Sequence, residues 1–282
     1  MSCELCPRHC AIDRNSSVGY CMAHYTPIVA KVMRHMWEEP LISGHNGSGA
    51  IFFSGCNMKC IFCQNHEIAH TITGEEYSRE RLADLFKRIE DTGVHNINLV
   101  TPTHFVNGII DALDIYKPNI PIVYNTGSYE SLDTLKRLEG YIDIYLPDLK
   151  YSDNELAKTL SRADGYFDIA TNAILEMYRQ QPNDIIEDGI MRKGVIIRHL
   201  VLPACIDNSR RIADWLVSHI PHDKYISIMS QFTPHGDLST APFLRRALKP
   251  LEYKIIVNKL MCFDNAFIQE MDSSSEEYIP DF

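Results

Sequence analysis

The sequence predicts an α/β protein in which helices cover a mostly parallel β-sheet, and three observations support this fold class. Short apolar runs alternate with helical patterns from residue 50 onward. The strand-like runs are almost entirely apolar, as is typical of strands that are buried on both faces. The 282 residues are 45% hydrophobic, which is enough for a sizeable core. Six such units fit an open wound sheet or a partial barrel, and both bind ligands at the carboxyl ends of their strands.

The individual elements are predicted from apolar periodicity and from capping residues. Six strands are expected, and 253–257 is a weaker seventh; the six span 50–53, 97–100, 121–124, 142–146, 194–202 and 225–229. Ser78 is the predicted N-cap of a helix that ends near Gly93, and Asn208 is predicted to open a helix that contains Ile212 and Trp215. The apolar residues at helical spacing are Leu82, Leu85, Phe86 and Ile89, then Val106, Ile109, Ile110 and Leu113, then Leu132, Leu135 and Leu138, and finally Ile212 and Trp215.

Composition and charge argue against several classes of protein. The 27 basic residues against 37 acidic ones give a net charge of −10, whereas a nucleic-acid binder would need a basic face. The longest apolar stretches, such as 194–202, fall far short of the ~18 residues that a membrane helix requires. The chain starts without a basic and apolar leader, so we expect a cytoplasmic protein. The segment from about Met271 is acidic and Ser-rich, and a loose tail is predicted there.

The nine cysteines are distributed unevenly along the chain. Seven of them lie within the first 63 residues, and only Cys205 and Cys262 lie beyond. Cytosolic thiols stay reduced, so clustered cysteines there indicate metal binding rather than disulfides. The predicted organisation is a Cys-rich segment at 1–49, a core at 50–260 and a C-terminal extension with the acidic tail at 261–282.

Three cysteines follow directly on the first predicted strand of the core. Cys56, Cys60 and Cys63 have the spacing C-x3-C-x2-C. Three thiolates on one loop can hold three irons of a [4Fe–4S] cluster, and the missing fourth thiolate leaves one iron open to another ligand. Zinc sites usually take four ligands from pairs of C-x2-C units, so a cluster is favoured over zinc.

The loop, with Phe62 before its last cysteine, resembles the signature of the radical S-adenosylmethionine superfamily. That resemblance implies a partial (β/α)6 barrel and an enzyme that uses a [4Fe–4S] cluster and S-adenosylmethionine. The amino and carboxylate groups of S-adenosylmethionine would chelate the open iron. Reductive cleavage would then yield a 5′-deoxyadenosyl radical, which abstracts hydrogen from a substrate.

Further stretches resemble the branch around pyruvate formate-lyase activating enzymes and its uncharacterised relatives. They are Glu38-Glu39-Pro40, Gln64-Asn65, Asn98 to His104, Tyr124 to Gly127, Leu146 to Lys150, Arg198 to Pro203 and Ser230 to Phe232. The branch implies a glycyl radical enzyme as protein substrate and a flavodoxin- or ferredoxin-type electron donor. Modification of a small molecule or peptide is an alternative, and a non-catalytic iron–sulfur or zinc sensor is an alternative of another class.

The polar residues at the predicted strand ends suit a zwitterionic nucleoside. Asp148 can accept from the ammonium, Lys150 can pair with the carboxylate, and Asn125 or Thr126 can reach the ribose hydroxyls. The resemblance also implies that Arg198 contacts the cofactor. The remaining predicted cofactor residues are Phe62, Thr101 and Thr103.

Two positions depart from the family pattern. Many members of the superfamily carry Gly-Gly-Glu after the second strand to hold the amino group, whereas this chain has Thr101-Pro102-Thr103. Ala204 stands where activating enzymes tend to have glycine. The contact with the amino group at the second strand must therefore use hydroxyl or backbone groups. A glycyl radical enzyme as the substrate stays an expectation.

The amino-terminal cysteines predict a second metal site. Cys3, Cys6, Cys10 and Cys21 supply four thiolates, the number that closes a structural zinc site or holds a second iron–sulfur cluster. The alternatives are reduced thiols that pack in a small cap, or His9 in place of one thiol.

No catalytic side chain is assigned from the sequence. His104 and His199 lie near strand ends and could donate protons or touch substrate, although a lone histidine is more often structural. Cys205 and Cys262 are interpreted as packing residues.

Overall fold

The computed structural model describes residues 3–271 and has the predicted mixed α/β architecture. The strands are β1 (Ile28–His35), β2 (Ser48–Phe53), β3 (Glu75–Glu76), β4 (Ile97–Val100), β5 (Ile122–Thr126), β6 (Ile144–Pro147), β7 (Ile185–Glu187), β8 (Ile190–Leu200), β9 (Tyr225–Met229) and β10 (Asn265–Ile268). The helices are α1 (Pro40–Ser43), α2 (His66–His70), α3 (Arg79–Glu90), α4 (Val106–Ile115), α5 (Leu132–Arg137), α6 (Asn154–Ser161), α7 (Tyr166–Gln180), α8 (Ile206–His219) and α9 (Pro250–Leu260).

The strands form one sheet that is parallel through its centre. Its order is β10-β9-β8-β6-β5-β4-β2-β1-β3, and β7 pairs antiparallel with β8. The six predicted core strands are β2, β4, β5, β6, β8 and β9, and they pair side by side in parallel. The two edges, β3 and β10, do not pair with each other, so the sheet is a partial barrel. The predicted fold class is confirmed.

Local sequence signals account for the helix that follows β3. The hydroxyl of Ser78 accepts from the Arg81 amide, which satisfies a free N–H of the first turn of α3. The predicted apolar positions of this helix are buried, and α3 packs against α4. The amphipathic face therefore covers the outer side of the sheet, as the periodicity predicts.

The predicted strand at 253–257 is wrong, because these residues form the middle of α9. Pro250 lies in the first turn, where its missing N–H costs no hydrogen bond. The Lys249 amide donates to the Glu252 carboxylate at 2.9 Å and caps the helix start. Buried Tyr253 and Ile256 lie three positions apart on one face, so the helical pattern prevails over the short apolar run.

The amino-terminal region contributes to the sheet and fills the barrel. Residues 3–27 form no helix or multi-residue strand, but β1 pairs antiparallel with β2 from Val29 to His35. The link between these two strands carries Ile42, which is fully buried. It packs against inward-facing residues of the barrel, namely Val123, Ile144, Leu146, Met191 and Ile196. The boundary predicted after residue 49 falls inside β2.

At the carboxyl terminus, β10 lies within the predicted extension and pairs in parallel with β9. The acidic tail at 272–282 lies outside the described residues. Within residues 3–271, no helix combines the length and the hydropathy needed to cross a bilayer.

Candidate active site

A cavity of about 440 Å³ opens at the carboxyl ends of the parallel strands, where the fold predicts ligand binding. It brings together residues from the cluster loop and from the ends of β4, β5, β6 and β8. All the residues predicted for the [4Fe–4S] cluster and for the cofactor line it: Cys56, Cys60, Phe62, Cys63, Thr101, Thr103, Asn125, Thr126, Asp148, Lys150 and Arg198.

The cysteine loop is shaped by glycine and by contacts with the rest of the chain. Gly55 has a φ of +82°, and a Cβ there would overlap the carbonyl oxygen of Cys21. The Met58 amide donates to Cys56 Sγ at 3.3 Å, and the Ser161 hydroxyl donates to Cys60 Sγ at 2.9 Å. N–H and O–H donors to sulfur stabilise thiolates, so two of the three thiols are already provided with the partners that a bound cluster would need.

The charge around the loop cysteines favours their role as thiolate ligands. Burial raises the pKa of Cys56 to about 11 and raises that of Cys63 further, and the neighbouring thiols add to this effect. The ammonium of Lys150 opposes this rise at all three cysteines, although burial keeps the pKa of each above its ordinary value. A cation beside a buried thiol favours the thiolate form. A positively charged iron–sulfur core can then take the place of the proton.

The residues present fit a [4Fe–4S] cluster together with a zwitterionic ligand. In the part of the chain that the structure describes, no three His, Cys, Asp or Glu side chains converge as they would around one metal ion. Such convergence is not needed in the cysteine loop, because each thiolate of a cluster binds a different iron. The three soft thiolates match the iron–sulfur cluster, and the charged and hydroxyl groups beside them match the zwitterionic ligand.

An ion network crosses the cavity wall opposite the loop. Arg198 donates from Nε to Asp148 Oδ1 at 2.7 Å, from one terminal nitrogen to Glu38 Oε1 at 2.6 Å and from the other to Asn125 Oδ1 at 2.7 Å. Lys150 Nζ donates to Asp148 Oδ2 at 2.5 Å. Each guanidinium nitrogen is thus already engaged, whereas Lys150 makes a single such bond. Lys150 thus keeps two of its three N–H donors for an anionic ligand group, and Arg198 keeps one on each terminal nitrogen.

Electrostatics keep these charges fixed. Burial alone would raise the pKa of Asp148, but Arg198 and Lys150 outweigh it and hold the pKa below its ordinary value. Burial would lower the pKa of Lys150, and Asp148 reverses that effect. The wall therefore carries paired charges that persist through neutral pH.

Glu38 was not predicted as a site residue. Its carboxylate accepts from Asn98 Nδ2 and Asn125 Nδ2, both at 2.9 Å, in addition to Arg198. Burial, with a contribution from Glu38, raises the pKa of the adjacent Glu39 to about 7 despite the opposing effect of Arg198. The only sequence signal was the Glu-Glu-Pro resemblance, since nothing local indicates that the link between β1 and β2 enters the barrel.

The predicted hydroxyl contacts belong to a second wall. Thr103 Oγ1 donates to Glu130 Oε1 at 2.6 Å, and Thr126 Oγ1 donates to the same oxygen. Thr101 and Ser128 adopt left-handed backbone with φ of 58° and 63°, which turns the chain sharply after β4 and β5. Glu130 was also missed, because it follows the strand-end motif and nothing marks it as buried.

The four amino-terminal cysteines lie in one segment, but within residues 3–271 no three of them converge as they would around one metal ion. Burial raises the pKa of Cys6 to about 12, and the charges of Cys21 and Cys3 contribute to this shift. Cys10 Sγ accepts from the Tyr20 amide at 3.4 Å. This segment also touches the cluster loop, because Arg8 Nε donates to the Asn57 carbonyl at 2.7 Å.

The remaining candidates are structural. His104 and His199 are buried outside the cavity, and burial lowers their pKa values to about 3 and about 4. His199 bonds the Leu149 carbonyl at 2.7 Å and Ser209 Oγ at 2.9 Å. Cys205 is buried in the core, as predicted. Cys262 is exposed, so the prediction of a packing role for it is wrong.

Comparison with known proteins decides the family. The model of the radical SAM superfamily matches residues 50–191, which span half of the chain, including the cysteine loop and the ends of β4, β5 and β6. The chain belongs to the radical SAM superfamily. Membership implies a [4Fe–4S] cluster and S-adenosylmethionine as cofactors. The uncharacterised protein MJ0674 of Methanocaldococcus jannaschii is 29% identical over 257 residues, which are 88% of this chain and 70% of that protein.

Other relatives share less of the sequence. The uncharacterised MJ0808 of the same organism is 23% identical over 65% of this chain and 63% of its own length. A methylornithine synthase structure is 20% identical with a TM-score of 0.55, covering 80% of this chain and 67% of that one. Streptococcus suis SuiB bound to S-adenosylmethionine is 12% identical with a TM-score of 0.51, covering 79% of this chain and 50% of SuiB. At these identities, the structural likenesses establish the shared fold alone.

Proposed function

We propose that this radical SAM protein cleaves S-adenosylmethionine reductively and uses the resulting radical to abstract hydrogen from a polypeptide substrate. The observation that carries the proposal is the shared cavity. Three thiols of one loop lie in it together with Asp148, Lys150 and a row of hydroxyl and amide groups at the strand ends. A sensor that merely binds iron does not need that second set of residues, which disfavours the non-catalytic alternative.

Each residue has a role that follows from its surroundings. Cys56, Cys60 and Cys63 would hold the cluster, which when bound supplies the electron for cleavage of the sulfonium. Lys150 retains N–H donors beyond its bond to Asp148, so it would bind the carboxylate of the methionine moiety. Phe62 is buried at the cavity wall and excludes water from the site.

The size of the cavity supports a substrate that inserts only a small group. A volume of about 440 Å³ lies near the lower end of the range for ligand sites, and S-adenosylmethionine itself would take most of it. The backbone of a glycine or a small side chain offered by a protein fits the space that remains. We therefore favour a protein substrate, with a glycyl radical enzyme as the specific expectation and a small molecule as the alternative.

The electron donor is expected to be a flavodoxin or ferredoxin. Such reductants belong to the cytoplasm, the compartment expected from the clustering of cysteines in the sequence.

The test is anaerobic reconstitution with iron and sulfide, followed by dithionite and S-adenosylmethionine. We expect 5′-deoxyadenosine in the wild type, none after replacement of Cys56, Cys60 and Cys63 by Ala, and an unchanged yield in Cys262→Ala. Absence of 5′-deoxyadenosine from wild-type protein with an intact cluster would reject the proposal. Glycine-containing peptides deuterated at the α-carbon then report the substrate class, because abstraction moves deuterium from the peptide to 5′-deoxyadenosine and raises the mass of that product.

The four amino-terminal cysteines are proposed to hold a second metal centre, either zinc or an iron–sulfur cluster. The proposal is supported by the spacing of the four cysteines and by the influence of Cys21 and Cys3 on the pKa of Cys6, in a segment without helices. Metal analysis of the Cys56, Cys60 and Cys63 triple variant isolates this site. Retained zinc or iron that disappears on further replacement of Cys6 and Cys21 supports a second centre, and a triple variant free of both metals rejects it.

A further inference from the structure

Glu130 is a buried carboxyl group whose partners are all hydroxyls. The residue is 2% exposed, and it accepts from Thr103 and Thr126 and, at 3.3 Å, from the Tyr124 hydroxyl. No lysine or arginine in residues 3–271 forms an ion pair with it, in contrast to Asp148. A buried carboxyl without a cation is costly, so its presence beside the cavity calls for a chemical reason.

The hydrogen-bond arithmetic of the two threonines gives that reason. A threonine hydroxyl has one proton to donate and two lone pairs to accept with. The hydroxyls of Thr103 and Thr126 both donate their single proton to Glu130, and Thr126 Oγ1 also accepts from the Ser128 amide at 3.2 Å. Each oxygen therefore has a lone pair left and no proton. Both threonines line the cavity, so these two hydroxyls can accept hydrogen bonds from a ligand but cannot donate to it.

We propose that Glu130 is a positioning residue that fixes Thr103 and Thr126 as hydrogen-bond acceptors for the donor groups of S-adenosylmethionine. This inference rests on the proposed function. The donor groups of that ligand are its ammonium, its ribose hydroxyls and its adenine amino group, and each can donate to the two threonine oxygens. Glu130 itself does not touch the ligand and acts through the two hydroxyls.

The chemistry of the carboxylate explains why another side chain would not serve. A glutamine of the same shape carries an amide that donates as well as accepts, so it allows either threonine to reverse its hydrogen bond. An apolar residue leaves both hydroxyls free to rotate. Burial raises the pKa of Glu130 to about 7, so above that pH the group is an ionised carboxylate, which accepts only and imposes one orientation on both hydroxyls.

The test measures ligand affinity on anaerobically reconstituted protein by equilibrium dialysis at about pH 8.5, where Glu130 is ionised. Three probes are used: S-adenosylmethionine, S-adenosylhomocysteine, and 5′-methylthioadenosine, which keeps the ribose but has no ammonium. Glu130→Gln is compared with Glu90→Gln, because Glu90 likewise accepts from a tyrosine, Tyr116, at a surface outside the cavity. We expect about a tenfold loss in Glu130→Gln and no change in Glu90→Gln, as for the loss of one or two hydrogen bonds to a charged or polar ligand group.

The pattern of losses identifies the ligand group. A loss confined to the two probes with an ammonium assigns the acceptors to that group, and a loss for all three probes assigns them to the adenosine part, that is, to the ribose hydroxyls or the adenine amino group; both support the proposal. Unchanged affinity of Glu130→Gln for every probe overturns it, provided that the wild type binds. A wild type that binds none of the probes rejects the proposed function itself.

A second pair of variants guards against misfolding of Glu130→Gln. Thr103→Ser keeps the hydroxyl and Thr103→Val removes it at nearly constant shape. We expect Thr103→Ser to retain wild-type affinity and Thr103→Val to lose several-fold, with equal melting temperatures. A loss of affinity that merely follows a lowered melting temperature in both variants contradicts a positioning role.

Discussion

The two walls of the cavity hold buried carboxylates in opposite ways. On the ion wall, formed by Glu38, Asp148, Lys150 and Arg198, each carboxylate faces a cation, and burial is offset by charge pairing. On the hydroxyl wall, Glu130 has only O–H donors, and burial raises its pKa to about 7 although those donors oppose the shift.

This contrast shows how one site can control both charge and hydrogen-bond direction. The ion wall keeps its charges at every pH near neutrality, because each pairs with an opposite charge. On the hydroxyl wall no cation of the described residues offsets the burial of Glu130, so this carboxyl group titrates near neutral pH. Its role is to orient the hydroxyls of Thr103 and Thr126. Four substitutions test the contrast, in decreasing order of expected effect.

Arg198→Met should cause the largest loss of stability. It leaves Glu38 and Asp148 buried without their shared cation, and removal of one partner from a buried pair costs about 3–5 kcal/mol. Urea unfolding at pH 7.5 measures the change. Arg88→Met, which removes an exposed partner of Asp84, is the control and should cost under about 0.5 kcal/mol. Equal effects of the two substitutions would show that the ion wall is not a buried network.

Glu130→Gln should change the pH dependence of stability. The pKa of about 7 in the folded protein exceeds the ordinary carboxyl value of 4.5, so the native state holds the proton more tightly than the unfolded chain does. This contribution is complete below about pH 4.5 and is lost as pH rises through 7.

Relative to the wild type, Glu130→Gln should therefore gain about 3 kcal/mol between pH 4.5 and pH 8, because a pKa difference of one corresponds to about 1.36 kcal/mol. Urea unfolding of both proteins across that range measures the difference. A constant difference would mean that Glu130 ionises in the fold as it does in the unfolded chain.

Glu38→Gln should cost about 2 kcal/mol, because it turns a charged acceptor into a neutral amide while Arg198 keeps Asp148. Glu80→Gln, which affects only the exposed pair with Arg79, serves as its control. Thermal unfolding at pH 7.5 compares the two. A cost for Glu38→Gln as large as that of Arg198→Met would mean that Asp148 alone does not hold the guanidinium in place.

Tyr124→Phe should have the smallest effect, about 1 kcal/mol. The Tyr124 hydroxyl lies 3.3 Å from Glu130, the longest of the three bonds to that carboxyl group, and the ring remains packed. Its affinity for S-adenosylmethionine should equal that of the wild type, because the two threonine bonds persist. A loss of affinity comparable to that of Thr103→Val would assign the tyrosine a part in positioning.

Local signals predicted most of the fold but only half of the site. The apolar runs and the cap at Ser78 are properties of neighbouring residues, and the cysteine loop is defined by spacing alone, so each was visible in the sequence. Glu38 and Arg198 are 160 positions apart, and their pairing depends on how the link after β1 enters the barrel. The role of Glu130 depends on burial between β4 and β5, which no local pattern reports.

The prediction for Thr103 and Thr126 illustrates the same limit. Their position at strand ends predicted that they would line the cavity. The direction of their hydroxyls follows from a third side chain, and only the folded arrangement contains that information.

The loop cysteines and the two polar walls are proposed to form one site for a cluster and S-adenosylmethionine. Electron paramagnetic resonance of the dithionite-reduced protein, recorded before and after addition of S-adenosylmethionine, reports on both ligands at once. We expect a [4Fe–4S]⁺ signal whose g-values change on addition, with a higher concentration needed in Glu130→Gln. A cluster signal that stays unchanged at saturating S-adenosylmethionine would contradict a shared site.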